Sequence, residues 1–173
     1  PESEYGSFGE EMNRTIRAQK LDEGIDILTG LWSGKPFSFR GKHFQIDSVT
    51  FNPPPIQKPR IPIWVAGVWP RKRPFLRASR WDGVFPTISD GFATDKELQP
   101  NDFKDILNLV NLHRKSDQPI DVIKGGCLPS TDQVHTSEIL TAYEDAGVTW
   151  WVHGFEDEAN LESVKSKMRA GPP

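Results

Sequence analysis

Four short apolar runs, each followed by a stretch with apolar residues at helical spacing, fill residues 61–173 and constrain the fold more than any other feature. The runs are Ile61 to Ala66, Gly83 to Pro86, Ile120 to Ile123 and Val148 to Val152. The first is rich in Ile and Val and bounded by proline and glycine, as expected of a strand buried on both faces. Strands separated by helices must pair in parallel, because a parallel crossover takes a dozen or more residues. One helix shows Phe103, Ile106, Leu107 and Val110, with Asn101 or Asp102 as its expected cap. The next shows Ile139, Tyr143 and Ala146 and stops at Gly147, where a left-handed cap is wanted. The last shows Leu161, Val164 and Met168 and ends at Gly171-Pro172-Pro173.

Residues 1–60 read differently. A long helix is expected over Glu10 to Trp32, with Leu21, Ile25, Leu28 and Trp32 as its core stripe. Alternation in Phe37-Ser38-Phe39 and His43-Phe44-Gln45-Ile46 around Arg40-Gly41-Lys42 predicts a β-hairpin excursion. Asn52-Pro53-Pro54-Pro55 and Lys58-Pro59 form a stiff connector, since each proline fixes its φ and biases the preceding residue away from helix. One domain over 1–173 is expected, with helix, hairpin and connector in 1–60 and four βα units in 61–173.

Composition narrows the function. The 173 residues can bury one sizeable core. A net charge of -3 and a pI near 5.8 argue against a nucleic-acid partner, which calls for a basic stripe. The single Cys127 cannot form an internal disulfide, and no stretch is long and apolar enough to span a bilayer, so no membrane partner and a cytoplasmic location are expected. Pro1 is not an initiator, which makes a fragment one expectation.

The most chemically suggestive segment is Ala66-Gly67-Val68-Trp69-Pro70-Arg71-Lys72-Arg73-Pro74. Proline suits the first helical position, so the helix is expected to start at Pro74 and the loop to run from Gly67 to Arg73. Gly67 offers a positive φ and close backbone approach, and free N–H groups at a helix start favour an anion. Arg71, Lys72 and Arg73 oppose the helix dipole unless an anion sits among them. Such a basic triplet is more often a solvated loop. Its place at the C-terminal end of a parallel strand, where such folds hold ligands, moves the balance toward phosphate. Thr87 and Ser89 after the second strand, Lys124-Gly125-Gly126 after the third and His153 with Glu156 after the fourth would share that edge. Cys127 reads as packing, His43 and His113 as surface, and the tryptophans as core, with Trp69 able to cover a ring. No metal spacing and no catalytic residues stand out. A doubly wound nucleotide-binding sheet lacks its Gly-rich fingerprint here.

Leu21 to Gly34, Phe37 to Phe44, Pro62-Ile63-Trp64-Val65-Ala66-Gly67, Arg80-Trp81-Asp82-Gly83 and Ala146 to Trp151 together resemble the C-terminal part of the bacterial luciferase-like flavin-dependent oxidoreductases. The resemblance implies the C-terminal half of a (β/α)8 TIM-type barrel. It also implies FMN, or a deazaflavin in some branches, and a monooxygenase or oxidoreductase acting on a small organic substrate, with reduced nicotinamide as an electron source. It places the cofactor phosphate at Gly67, Val68 and Trp69, to which Arg71, Arg73 and Thr87 are added as neighbours. By this resemblance the chain is expected to begin after the family's other four strands. His153 stands where an acidic residue is expected, and no role is carried over to it.

A half barrel exposes its edges and inner face, so a homodimer or a complementing N-terminal half is expected. The alternative to an enzyme is a non-catalytic flavin-binding or scaffold half barrel that needs such a partner.

Overall fold

The computed structural model describes residues 2–88, 96–127, 133–154 and 160–171. The chain forms two compact units, Pro1–Pro62 and Ile63–Pro173.

The first unit contains α1 (Glu2–Ser7), α2 (Arg14–Leu31), β1 (Phe37–Arg40) and β2 (Gln45–Val49). Helix α2 starts later than Glu10 because Asn13 caps it, its side-chain oxygen accepting from Thr15 and Ile16 N–H at 2.9 and 3.2 Å. The hairpin forms as expected, with Phe39 opposite Ile46 and Arg40 opposite Gln45. The expected core stripe does not: only Ile25 is buried, while Leu21 and Leu28 are each 46% exposed. Helix α2 meets the hairpin with Gln19, Glu23 and Gly30 instead. A Cβ on Gly30 would overlap the Phe37 ring. The Glu23 carboxylate accepts backbone N–H donors from Lys42, His43 and Phe44 at 2.8, 3.0 and 2.9 Å, and Gln19 Oε1 bonds His43 Nε2 at 2.9 Å. Burial raises the Glu23 carboxyl, but donors from His43, Lys42 and Phe44 and the nearby imidazole outweigh it and hold it below the ordinary glutamate value.

The second unit runs β3 (Trp64–Val68), α3 (Lys72–Ala78), β4 (Gly83–Thr87), α4 (Pro100–His113), β5 (Asp121–Gly126), α5 (Gln133–Glu144), β6 (Trp150–His153) and α6 (Leu161–Ala170). The strands form one parallel sheet in the order β3-β4-β5-β6. Strand β3 starts after Ile63, which is tied to the turn before β4: its N–H donates to Asp82 Oδ2 at 2.7 Å, and its carbonyl accepts from Asp82 and Gly83. Helix α4 is capped by Gln99, not Asn101 or Asp102. Pro100 takes the first helical position, where its missing N–H costs nothing, and the Asp102 carboxylate accepts the Gln99 N–H at 2.8 Å. Helix α5 ends as expected before Gly147, whose φ of 94° a side chain rarely adopts.

The sheet's two faces differ. Val65, Val84 and Val122 lie in register on one face and are buried in a core with Phe75 and Ala78 of α3 and Phe103, Ile106 and Val110 of α4. Each large apolar side chain so buried contributes about 1.5–3 kcal/mol. On the other face the flanking strands β3 and β6 are exposed while Ile123 of β5 is buried, which corrects the expectation that the first strand is covered on both sides. Trp64 is 37% exposed, Trp150 52% and Val152 45%, and Ala66 is exposed. Trp64 and Trp150 lie 5.4 Å apart, and their indole N–H groups donate to the two oxygens of Asp121 at 2.9 and 3.1 Å.

Candidate functional site

Parallel register brings the strand ends together at one edge. Val68 lies opposite Thr87 on β3 and β4, and Gly126 opposite His153 on β5 and β6. Between β3 and α3 the chain reverses in a tight turn. The Trp69 N–H donates to Thr87 O at 2.8 Å, the Arg71 N–H to Val68 O at 3.0 Å, and the Thr87 hydroxyl lies 3.5 Å from Gly67 O. Gly67, Val68, Trp69 and Thr87 are thus neighbours through backbone bonds. Arg71 sits at the N-cap of α3, with Lys72 and Arg73 in its first turn.

The turn differs from its sequence reading in two ways. The helix begins at Lys72 rather than Pro74, so Gly67 and Val68 belong to the strand and Arg73 to the helix. A proline is tolerated there because N–H groups of a first turn have no partner within the helix. Gly67 does not take a positive φ. It is buried, and a Cβ on it would lie 2.6 Å from Pro74 Cβ and 3.3 Å from Phe75 Cζ. Its missing side chain lets α3 approach β3. Trp69 in turn sets its ring edge-on to Phe75 at 5.5 Å.

The backbone N–H groups of Trp69 and Arg71 are used inside the turn, so an anion would find its donors one step further on. The start of α3 has no side-chain cap and no acidic residue in its first turn. At this helix start the N–H groups of Lys72 and Arg73 stand beside the exposed cationic side chains of Arg71, Lys72 and Arg73. Without an anion, each exposed cation there opposes the helix dipole by about 0.3–1 kcal/mol.

On the helix-covered face of the same edge lies a residue that the sequence reading took only as part of a glycine turn. The Lys124 side chain is 5% exposed. Its Nζ donates to Gly125 O at 2.9 Å, lies 3.7 Å from Glu97 Oε2, and sits over the Trp151 and Tyr143 rings at 4.9 and 5.6 Å. Burial holds the ammonium below the ordinary lysine value, against the pull of Glu97. The Tyr143 hydroxyl donates to Leu98 O at 2.8 Å, and burial, then Glu97 and Asp102, push its phenol up. The signal in the sequence was a lysine inside an otherwise uncharged strand end.

His153 is exposed at the end of β6, and Cys127 is half-buried, its Sγ 3.5 Å from where a Cβ of Gly154 would stand. His113 is exposed, whereas His43 is half-buried against Gln19. Ser89 and Glu156 lie outside the described residues. Among the described residues no three His, Cys, Asp or Glu side chains gather as metal ligands, and no helix is long and apolar enough to cross a membrane.

Comparison with known proteins bears on this arrangement. The family profile of luciferase-like monooxygenases matches residues 1–99, a stretch that holds β3, α3, β4 and the turn between them. Over 72 residues the chain is 33% identical to the oxygenase component of a flavin-dependent trigonelline monooxygenase from Acinetobacter baylyi. That stretch is 42% of this chain and 20% of that protein.

Proposed function

Because the chain belongs to the luciferase-like monooxygenase family, we propose that it serves a flavin-dependent oxidoreductase acting on a small organic substrate, and that the turn between β3 and α3 holds the flavin phosphate. The observation that carries this reading is the uncapped, basic start of α3 at the C-terminal edge of a parallel sheet. Gly67, Val68, Trp69 and Thr87 shape the turn. Arg71 and Arg73, with Lys72, supply positive charge to a phosphate. FMN is the proposed cofactor, with a deazaflavin as the other choice. When bound, the flavin supplies the two-electron redox chemistry, with reduced nicotinamide as the proposed source of electrons. The chain's own part is to bind the phosphate, fix the ring and exclude water. The relative's description as an oxygenase component supports a system in which another protein participates.

The sheet is read as half of a (β/α)8 barrel within one partial-barrel domain, completed by a second copy or by a complementing N-terminal half, in the cytoplasm. The open face and free strand edges also favour a second reading, a flavin-binding scaffold that is active only once completed.

Titration of the purified chain with FMN and with riboflavin, which lacks the phosphate, tests the site. FMN binds more tightly, and its advantage shrinks with added salt and in the Arg71→Ala/Arg73→Ala variant. Equal binding of the two flavins, or none by either, would overturn the assignment for this chain.

A further inference from the structure

Among the described residues, Lys124 is the one charged residue that is buried. It stands at the C-terminal end of β5, on the helix-covered side of the sheet and two strands away from the turn between β3 and α3. An ammonium carries three donors. One goes to Gly125 O at 2.9 Å. The Glu97 carboxylate is 54% exposed and stands 3.7 Å away, beyond hydrogen-bond reach, and the Trp151 and Tyr143 rings supply cation–π attraction without an acceptor oxygen. Two donors of a buried cation therefore have no oxygen at bonding distance among the described residues. Burial holds the ammonium below the ordinary lysine value, and Glu97 offsets this only in part.

Gly126 shapes the approach to this cation. Its φ of 132° is one that side chains rarely adopt, and a Cβ there would lie 3.2 Å from Lys124 Nζ and 3.6 Å from Glu97 Oε1. The place beside Gly126 is therefore where a carboxylate meets the ammonium. Glu97 reaches it on a short tether: the next residue, Leu98, is buried, and its carbonyl accepts the Tyr143 hydroxyl at 2.8 Å. Rotation of the Glu97 side chain alone returns its carboxylate to water. A carboxylate without that tether can take both spare donors at the charge-assisted distance of about 2.7–2.9 Å. A phosphate dianion would set two negative charges against one buried cation, so the place fits a monoanion. We infer that Lys124 and Gly126 form a binding site for the carboxylate of a small ligand, and that Glu97 is a displaceable stand-in for it. The site is separate from the flavin-phosphate turn and does not depend on it.

The test is a titration with acetate, with chloride at equal ionic strength as the control, followed by NMR of the isotope-labelled chain without flavin. The reporters are the Gly125 and Gly126 amides and the Trp151 indole N–H, which donates to Gly126 O at 3.0 Å. Acetate, and not chloride, shifts these signals saturably. A tethered group that holds the place about nine-tenths of the time weakens apparent affinity about tenfold, so Glu97→Gln reaches half-saturation at about tenfold less acetate than wild type. Lys124→Met shows no such shift. Equal half-saturation in wild type and Glu97→Gln, the same shift with chloride, a shift retained in Lys124→Met, or no shift in wild type and Glu97→Gln would each overturn the inference. Circular dichroism checks that Lys124→Met folds. If it does not, wild type against Glu97→Gln with the chloride control decides, because the Glu97 side chain is largely exposed and its replacement spares the core.

Discussion

Adding one methyl group at Gly67 separates the two roles open to it. In Gly67→Ala the new Cβ would stand 2.6 Å from Pro74 Cβ and 3.3 Å from Phe75 Cζ, where ordinary contacts begin near 3.4 Å. The first of these is part of a ring fixed to the helix backbone, so relief requires α3 to move off β3. Overpacking of this kind costs about 1–3 kcal/mol. For a chain of 173 residues, each kcal/mol lowers Tm by about 2–4 °C. The assay is thermal unfolding followed by circular dichroism, run as a double-mutant cycle with Pro74→Gly, which removes the opposing Cβ. The double variant recovers at least about 0.5 kcal/mol relative to the sum of the singles, the sign of coupled neighbours. A Gly67→Ala protein with unchanged Tm would refute the argument and return Gly67 to a role in ligand approach.

Acid should act first on the first unit. Glu23 has a folded pKa below its unfolded value of about 4.3, so its contribution to stability is present above that value and is lost as pH falls through the folded pKa. The protection of the Lys42, His43 and Phe44 amides relative to their intrinsic exchange rate falls over that range in wild type, and in Glu23→Gln it is already low at neutral pH. At alkaline pH two groups of the second unit oppose each other. Lys124, lowered on folding, makes stability rise as pH climbs toward its unfolded value of about 10.4, whereas Tyr143, raised on folding, contributes stability below about pH 10 that is lost above it. Denaturant unfolding of Lys124→Met isolates the tyrosine, so stability falls more steeply with alkaline pH than in wild type. Arg114 donates to the carbonyls of Ser79, Trp81 and Gln118, and Arg114→Met costs about 1.5–3 kcal/mol by the same assay, with Arg114→Lys recovering only part.

The strand-helix rhythm was legible because apolar runs and glycine stops act locally, and Gly147 shows this best: its left-handed cap follows from position alone. Boundaries were less legible where a polar residue at the margin decides. Asn13 caps α2 through bonds to particular N–H groups, and at the start of α4 Asp102 accepts the Gln99 N–H; nothing in apolar spacing marks either. The α2 stripe failed because helical spacing shows which residues share a face and not what meets that face. In the site, the basic turn was visible as charge. The reason for Gly67 was not, since a glycine that admits a ligand and one that admits a helix read alike until the helix is placed.

Strand β5 shows why sequence pattern and charge must be read together. Its residues Asp121 and Lys124 are three apart, so alternation sends them to opposite faces, and each meets aromatic side chains suited to its sign. The carboxylate takes the N–H edges of Trp64 and Trp150, while the ammonium takes the ring faces of Trp151 and Tyr143. On the helix face Glu97 and the Gly125 carbonyl complete the lysine's partners, and burial there is already achieved. On the other face the carboxylate is half-buried and keeps its access to water. The two positions therefore differ in burial: Lys124 is enclosed among its rings and Glu97, whereas Asp121 stays half-buried beside two exposed indoles.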